Sequence, residues 1–306
     1  VIEQNEVPAS PAIAETRTPS RIADFYELSK PGIMYLALVT TFVGYILAPS
    51  ESFNIWLLVH TFLGTAFVAA GGGALNMVME YDADTLMNRT KNRPIPAGRI
   101  SYAEGLLFGI TSSSVGIVYL LLFVNPLASV LGALTIGGYL FVYTPSKKFT
   151  SLSTIIGSFP GAVPPLIGWA AVRNELSLEA WILFAIQYFW QIPHFLAIAW
   201  MYRKDYERAG FPMLPVIEPT GATTSTYVVV HCLALIPVSV LPFFFQLSGV
   251  IYFTGALALG IVFLLFGILL MKEKTNANAK RLLLASIFYF PLLLGFLFID
   301  KGLSLF

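Results

Sequence analysis

Nine predominantly apolar stretches follow one another along the chain, at residues 31–49, 54–78, 103–123, 126–143, 152–172, 179–201, 226–245, 249–270 and 282–299. A helix that crosses a bilayer needs about 20 such residues. In hydrocarbon an unpaired backbone amide is too costly to leave exposed, so each stretch must be helical or enclosed by protein. The pattern predicts an all-α membrane protein of about nine transmembrane helices. Residues 31–306 form a single transmembrane domain behind an N-terminal tail, residues 1–30. Within the tail, residues 18–30 read as a short amphipathic helix on the membrane surface, and residues 1–16 as an ordinary disordered tail. Val1 to Ser29 contain no long apolar core, so no cleaved secretory signal is expected.

Composition agrees with the span pattern. Charged residues make up 11% of the 306-residue chain and hydrophobic residues 57%, against roughly 25% charged in an ordinary soluble domain. Too few polar groups remain to cover a water-facing surface. The net charge of +1 offers nothing to nucleic acid, so none is expected as a partner. A single cysteine, Cys232, excludes an internal disulfide and any paired-cysteine metal site.

The cations fix an orientation. Of the 18 Lys and Arg, all but Arg173 and Lys301 fall in the tail or in loops that nine alternating spans place on one side. The positive-inside rule puts that side in the cytoplasm, or in the matrix for a mitochondrial inner membrane. The protein is therefore expected in the cytoplasmic (inner) membrane, its N-terminus cytoplasmic and its C-terminus on the far side.

Candidate chemistry lies at the cytoplasmic ends of two spans. At the end of the second, Asn76, Glu80 and Asp84 stand four residues apart, which on a helix gathers three oxygen donors on one face at steps of about 6 Å; Asp82 lies on another face. A carboxylate within the bilayer costs about 2.5–3.5 kcal/mol on insertion scales, so three acids within five residues need a reason. Mg²⁺, which takes hard oxygen ligands and shares them with substrate phosphates, supplies one. Arg89, Lys91, Arg93 and Arg99 follow at once, and guanidinium groups hold phosphate oxygens in a bidentate fork. Acids for a cation followed by bases for phosphate is the arrangement a diphosphate ester requires.

The sixth span ends on a second cluster: Gln191, Pro193 and His194, then Arg203, Lys204, Asp205, Tyr206 and Arg208. Pro193 removes a helical hydrogen bond and is expected to kink the span, bringing Gln191, His194 and the turn at 203–205 toward one pocket. Matching polar ends on spans two and six suggest two halves facing each other across a cavity. In span five Pro160, Pro164 and Pro165 break the helix, as is tolerated at membrane depth where backbone lines a cavity or is buried in protein.

Together these residues resemble the UbiA superfamily of intramembrane prenyltransferases. Its first acidic motif falls on Asn76, Glu80 and Asp84. Ser29-Lys30-Pro31, Tyr143-Thr144 with Lys147-Lys148, the stretch Gly161 to Trp169, Pro193-His194-Phe195, and Asp205-Tyr206 through Pro215 are similar to its heme-farnesylating branch. The motifs cover roughly residues 25–220. The resemblance implies transmembrane helices around a central cavity, farnesyl diphosphate and heme b (a substrate, not a cofactor) as reactants, and heme O with diphosphate as products. It implies Mg²⁺ as cofactor, held by Asn76, Glu80, Asp84 and Asp205, with Asp82 also catalytic. Lys30, Arg89, Arg93, Lys147, Lys148, Arg203, Lys204, Tyr206 and His194 would contact substrate, and a heme A synthase or a terminal oxidase would receive the product. His194 is the first candidate for the heme iron, ahead of His60 and His231. Two positions depart from the pattern: Tyr81 stands where the family usually has arginine, and Asp205, with Glu207 nearby, is all that matches the second acidic motif. A prenyltransferase acting on a quinone precursor or other aromatic acceptor is the nearest alternative. A secondary transporter is another, but its acids belong near span centres rather than at one membrane face.

Overall fold

The computed structural model describes residues 20–303. The expected tail at 1–16 and Arg17 lie outside the described residues, as does the side chain of Lys301. From Ser20 onward the chain is helical: α1 (Arg21–Leu28), α2 (Pro31–Leu47), α3 (Ile55–Met79), α4 (Tyr81–Leu86), α5 (Tyr102–Phe123) and α6 (Pro126–Gly137). A π-helical segment, Gly138–Tyr143, leads into α7 (Thr144–Ser146), then α8 (Ser153–Gly161), α9 (Pro164–Arg173) and α10 (Leu178–Met201). The remainder is α11 (Arg203–Arg208), α12 (Leu214–Ile217), α13 (Ala222–Phe244), α14 (Val250–Lys272) and α15 (Asn276–Leu303).

Among the described residues, eight helical stretches are long and apolar enough to cross a membrane, and α1 with α2, bent by 55° at their junction, makes a ninth. The protein is an all-α, multi-pass membrane protein. Side chains such as Leu107, Leu122, Phe141 and Phe288 project outward, as helices bathed in lipid require. The seventh and ninth crossings begin at Ala222 and Asn276, earlier than hydropathy suggested, because polar first turns and the cations Lys280 and Arg281 belong to the helix rather than to the loop.

Small residues decide how closely the helices approach. A Cβ on Gly44 would lie 1.9 Å from the Pro165 carbonyl oxygen, and one on Gly168 would lie 1.9 Å from that of Thr41. Thus α2 and α9 touch backbone to backbone, the packing mode of membrane helices, where dispersion must replace the hydrophobic effect. At the expected break in span five, α8 stops at Gly161 and α9 restarts with Pro164 at its first position. Pro165, with Thr40, Val43, Gln187, Tyr252 and Phe290, lines a small apolar cavity. These residues place the cavity in the half of the bundle away from the acidic ends of α3 and α10.

Pro193 lies inside one continuous helix, α10. The interruption comes later, at Tyr202 (φ −107°, ψ 20°). It has a counterpart at Glu80 (φ −98°, ψ 11°) between α3 and α4. Each long helix is thus followed, after one non-helical residue, by a six-residue helix carrying acids.

Candidate active site

Asn76, Glu80 and Asp84 do not share one uninterrupted helix, since α3 ends at Glu80. Register nevertheless survives, because the Glu80 amide donates to Asn76 O (3.0 Å) and the Asp84 amide to Glu80 O (2.8 Å). All three are buried, Asp84 completely. Each meets a cation from a different part of the chain. Lys147 Nζ lies 2.6 Å from Glu80 Oε1, Arg93 Nη1 donates to both Asp84 oxygens at 2.9 and 2.7 Å, and Lys30 Nζ donates to Asn76 Oδ1.

Local backbone brings each cation in. Lys30 sits in the left-handed region (φ 52°, ψ 64°) at the corner between α1 and α2. Gly73 leaves space there: a Cβ on it would lie 3.0 Å from Ser29 O. Arg93 returns on a loop whose Thr90 hydroxyl donates to Asp84 O at 3.1 Å. The π-helical segment before α7 sets Thr144 so that its hydroxyl donates to Tyr139 O (2.8 Å) and accepts from Asn76 Nδ2 (2.8 Å). That bond fixes the amide with its carbonyl oxygen toward the cations. Thr144 is a site residue that sequence reading gave no role; a polar residue beside Pro145 at a span end was the available signal. Tyr143 was missed likewise, and Lys147 Nζ sits 4.5 Å from the centre of its ring.

Burial penalises the charge on Glu80, but Lys147, Lys30 and Arg93 outweigh it and hold the carboxyl below its usual range. Lys30 is pushed down to about 7 by burial and by the charges of Arg93 and Lys147, with Glu80 and Asp84 opposing. Burial also disfavours the Lys147 cation, yet Glu80 more than compensates and raises it.

The second acidic position adjoins the first. Asp205 Oδ2 accepts from the Arg89 amide at 3.0 Å, and Arg208 donates to its other oxygen. The Arg89 guanidinium lies 5.2 Å from the centre of the Tyr202 ring and donates to the Tyr206 hydroxyl at 3.3 Å. Arg208 belongs to the second cluster read from the sequence but was given no site role; its position three residues after Asp205 was the signal.

Other expected site residues stand apart. Asp82, Lys148 and Lys204 are exposed and have no ion-pair partner among the described residues. Arg203 turns to the Trp200 carbonyl and Asn276. Gln191 donates to Ser158 O, whereas His194 pairs with Ser286 on α15. These three do not converge on one pocket, because α10 runs unbroken past Pro193 and each side chain keeps its own helical direction.

No cluster of three or more acid, His or Cys side chains in metal-binding geometry exists among the described residues, because cations occupy the carboxylates. The donor chemistry fits Mg²⁺ all the same: two carboxylates and an amide carbonyl are hard oxygen ligands with room left for phosphates. Charge fits too. Glu80 and Asp84 against Lys30, Lys147 and Arg93 leave one surplus positive unit with all three bases protonated. Mg²⁺ on a prenyl diphosphate carries about one net negative unit.

The UbiA prenyltransferase family model matches residues 37–293. The chain belongs to this family. It is 43% identical over 288 residues to a protoheme IX farnesyltransferase of Solibacter usitatus (strain Ellin6076), covering 91% of this chain and 98% of that one. A protoheme IX farnesyltransferase of Salinibacter ruber (strain DSM 13855 / M31) is 42% identical over 277 residues, with 90% and 98% covered. Solved UbiA folds superpose along most of the length. A digeranylgeranylglyceryl phosphate synthase gives a TM-score of 0.75 at 19% identity over 91% of this chain and 98% of that one. A UbiA homologue from Archaeoglobus fulgidus, bound to DMAPP and Mg²⁺, gives 0.67 at 15% identity over 90% and 99%. The chain is thus a UbiA-family prenyltransferase, and its buried acid-and-base cluster is the candidate site for that chemistry.

Proposed function

We propose that this UbiA enzyme transfers the farnesyl group of farnesyl diphosphate to a vinyl group of heme b, with addition of water, to give heme O and diphosphate. The observation that carries the donor half is the buried set of oxygen donors, Asn76, Glu80 and Asp84, each facing a base. Support for the acceptor comes from the protoheme IX farnesyltransferases at 37–43% identity.

Asn76 Oδ1, Glu80 and Asp84, with Asp205, would hold Mg²⁺, which draws electron density from the leaving diphosphate. Lys30, Lys147 and Arg93 then exchange their partners, the Asn76 amide oxygen and the Glu80 and Asp84 carboxylates, for phosphate oxygens, and Arg89 approaches from the adjoining loop. As the allylic C–O bond breaks, its electron pair leaves with the diphosphate, where these fixed cations oppose the growing negative charge. The vinyl π pair forms the new C–C bond to farnesyl C1. Water adds to the cation left on the porphyrin side chain and loses a proton. Apolar walls beneath the cluster keep water from the allylic centre until the acceptor has reacted.

The deciding assay supplies purified protein with Mg²⁺, farnesyl diphosphate and either heme b or 4-hydroxybenzoate, and identifies products by mass spectrometry. Farnesylated heme, formed only with heme b, is expected. Asp84→Asn should insert normally and lower turnover by at least about 100-fold, the scale of a lost electrostatic contact in a transition state. Full turnover by that variant would remove the acid cluster from the chemistry; prenylated 4-hydroxybenzoate in place of heme product would reassign the acceptor.

A further inference from the structure

Three histidines lie within the helices, and their hydrogen bonds set them apart. His194 Nδ1 is 2.7 Å from Ser286 Oγ, and that hydroxyl donates to Leu283 O at 2.6 Å. A serine hydroxyl has one hydrogen, and Leu283 takes it. Toward His194, Ser286 Oγ is therefore an acceptor, so Nδ1 carries the imidazole proton and Nε2 keeps its lone pair. Ser286 is fully buried, and its carbonyl accepts from Trp190 Nε1 at 2.9 Å, so this acceptor is held rigidly. His194 itself is only half-buried, and Nε2 has no partner among the described residues.

The direction of the side chain follows from helix geometry. Gln187 and Leu183, 7 and 11 residues before His194 on α10, lie within about 20° of it around the axis. Both line the apolar cavity, so His194 continues that stripe toward the cytoplasm. It stands seven residues before Met201, about 10 Å below the end of α10, and hence beneath the acid-and-base cluster. Flat aromatic surface surrounds it: Trp190 stacks on the imidazole with ring centres 5.1 Å apart, and Phe290 meets Trp190 edge-on at 4.6 Å. His231 donates instead to a carbonyl of its own helix, Tyr227 O, among Phe189 and Tyr227, none of which lines the cavity. His60 is bonded to Tyr119 near the opposite end of α3.

We propose that His194 Nε2 is an axial ligand to the iron of the porphyrin acceptor, with Ser286 fixing the ligating tautomer. The inference rests on the heme reading above. A porphyrin tethered there would lie beside the Trp190 ring, at a depth between the diphosphate cluster and the apolar cavity, with its rim vinyl groups turned toward the donor. Iron-bound histidine characteristically donates its other N–H to an acceptor that orients the ring and raises its basicity. Ser286 occupies that position. A plain clip between α10 and α15 would need the same bond, but it would leave the iron unaffected.

Resonance Raman spectra of ferrous heme b bound to the purified protein read the ligand directly. Wild type should give an iron–histidine stretching band. His194→Ala should lose the band and regain it when imidazole is added, which also shows that the variant is folded. Ser286→Ala should move the band to lower frequency. A band retained in His194→Ala, no rescue by imidazole, or a frequency unmoved by Ser286→Ala overturns the assignment. Product analysis on the same samples separates the two levels. Heme farnesylation by wild type with an iron spectrum indifferent to His194 leaves the reaction standing without this ligand. The band without any farnesylated product removes the reaction instead.

Discussion

Thr144 shows how one hydroxyl can organise a charged site it does not enter. Its hydrogen goes to Tyr139 O and its lone pair to Asn76 Nδ2, which leaves only Asn76 Oδ1 facing the cations. Thr144→Val keeps the shape but strands a buried amide donor, a loss of about 1–3 kcal/mol, and frees the amide to flip. Supporting contacts of this kind are worth roughly 10–100-fold in metal affinity. Calorimetric titration of Mg²⁺ in the presence of a non-hydrolysable prenyl diphosphate should show weakening on that scale in Thr144→Val and near-native binding in Thr144→Ser. Equal binding in both would mean that the amide is oriented by something else. Arg99 plays a comparable part outside the site: it bonds Asp24 at 2.6 Å and Glu27 at 2.7 Å, fastening α1 to the loop that carries Arg93. The corner presenting Lys30 is thereby joined to the same loop.

At the level of elements, the contact between α2 and α9 sets backbone against backbone and leaves nothing to yield. A side chain on Gly168 meets the Thr41 carbonyl oxygen, and one on Gly44 meets that of Pro165; backbone cannot rotate away as a flexible side chain would. Overpacking of well-filled interiors costs about 1–3 kcal/mol and sometimes more. Gly168→Val should therefore lower the thermal midpoint of the detergent-solubilised protein, followed by size-exclusion chromatography after heating. Gly32→Ala, in the same helix as Gly44 but with open space around the new methyl, should not. If both variants unfold alike, helix propensity rather than close approach controls this pair. The six-residue helices α4 and α11 make a second point. By restarting after one non-helical residue they set Asp84 against Arg93 and Asp205 against Arg208 just beyond the ends of the two long helices.

For the whole molecule, the asymmetric distribution of cations predicts an orientation that can be measured. Cys232 is the only cysteine and is completely buried, so the wild-type protein should be silent to a membrane-impermeant maleimide. In intact cells Glu51→Cys, between α2 and α3, should label, whereas Lys274→Cys, between α14 and α15, should label only after permeabilisation. The reverse pattern would invert the protein and put the acid cluster on the far side. Under the proposed reaction, a prenyl donor held by its diphosphate at the acid cluster would direct its tail toward the apolar cavity, and an acceptor would enter between the two.

Span number and helical class were set by the sequence alone, because lipid forces every long apolar run into a helix; the cation counts add an expected orientation for the labelling experiment to test. The acid spacing from Asn76 to Asp84 was legible for a similar reason: a four-residue period is a local property, and it persists through the break at Glu80. Partners were not legible. That Glu80 meets Lys147, Asp84 meets Arg93 and Asn76 meets Lys30 depends on helices far apart in the chain, and periodicity carries no information about distance between elements. The same limit governs His194. Its place on α10 could be read, but which ring nitrogen is free was decided by Ser286, 92 residues later, through a hydrogen bond that exists only once α10 and α15 have packed.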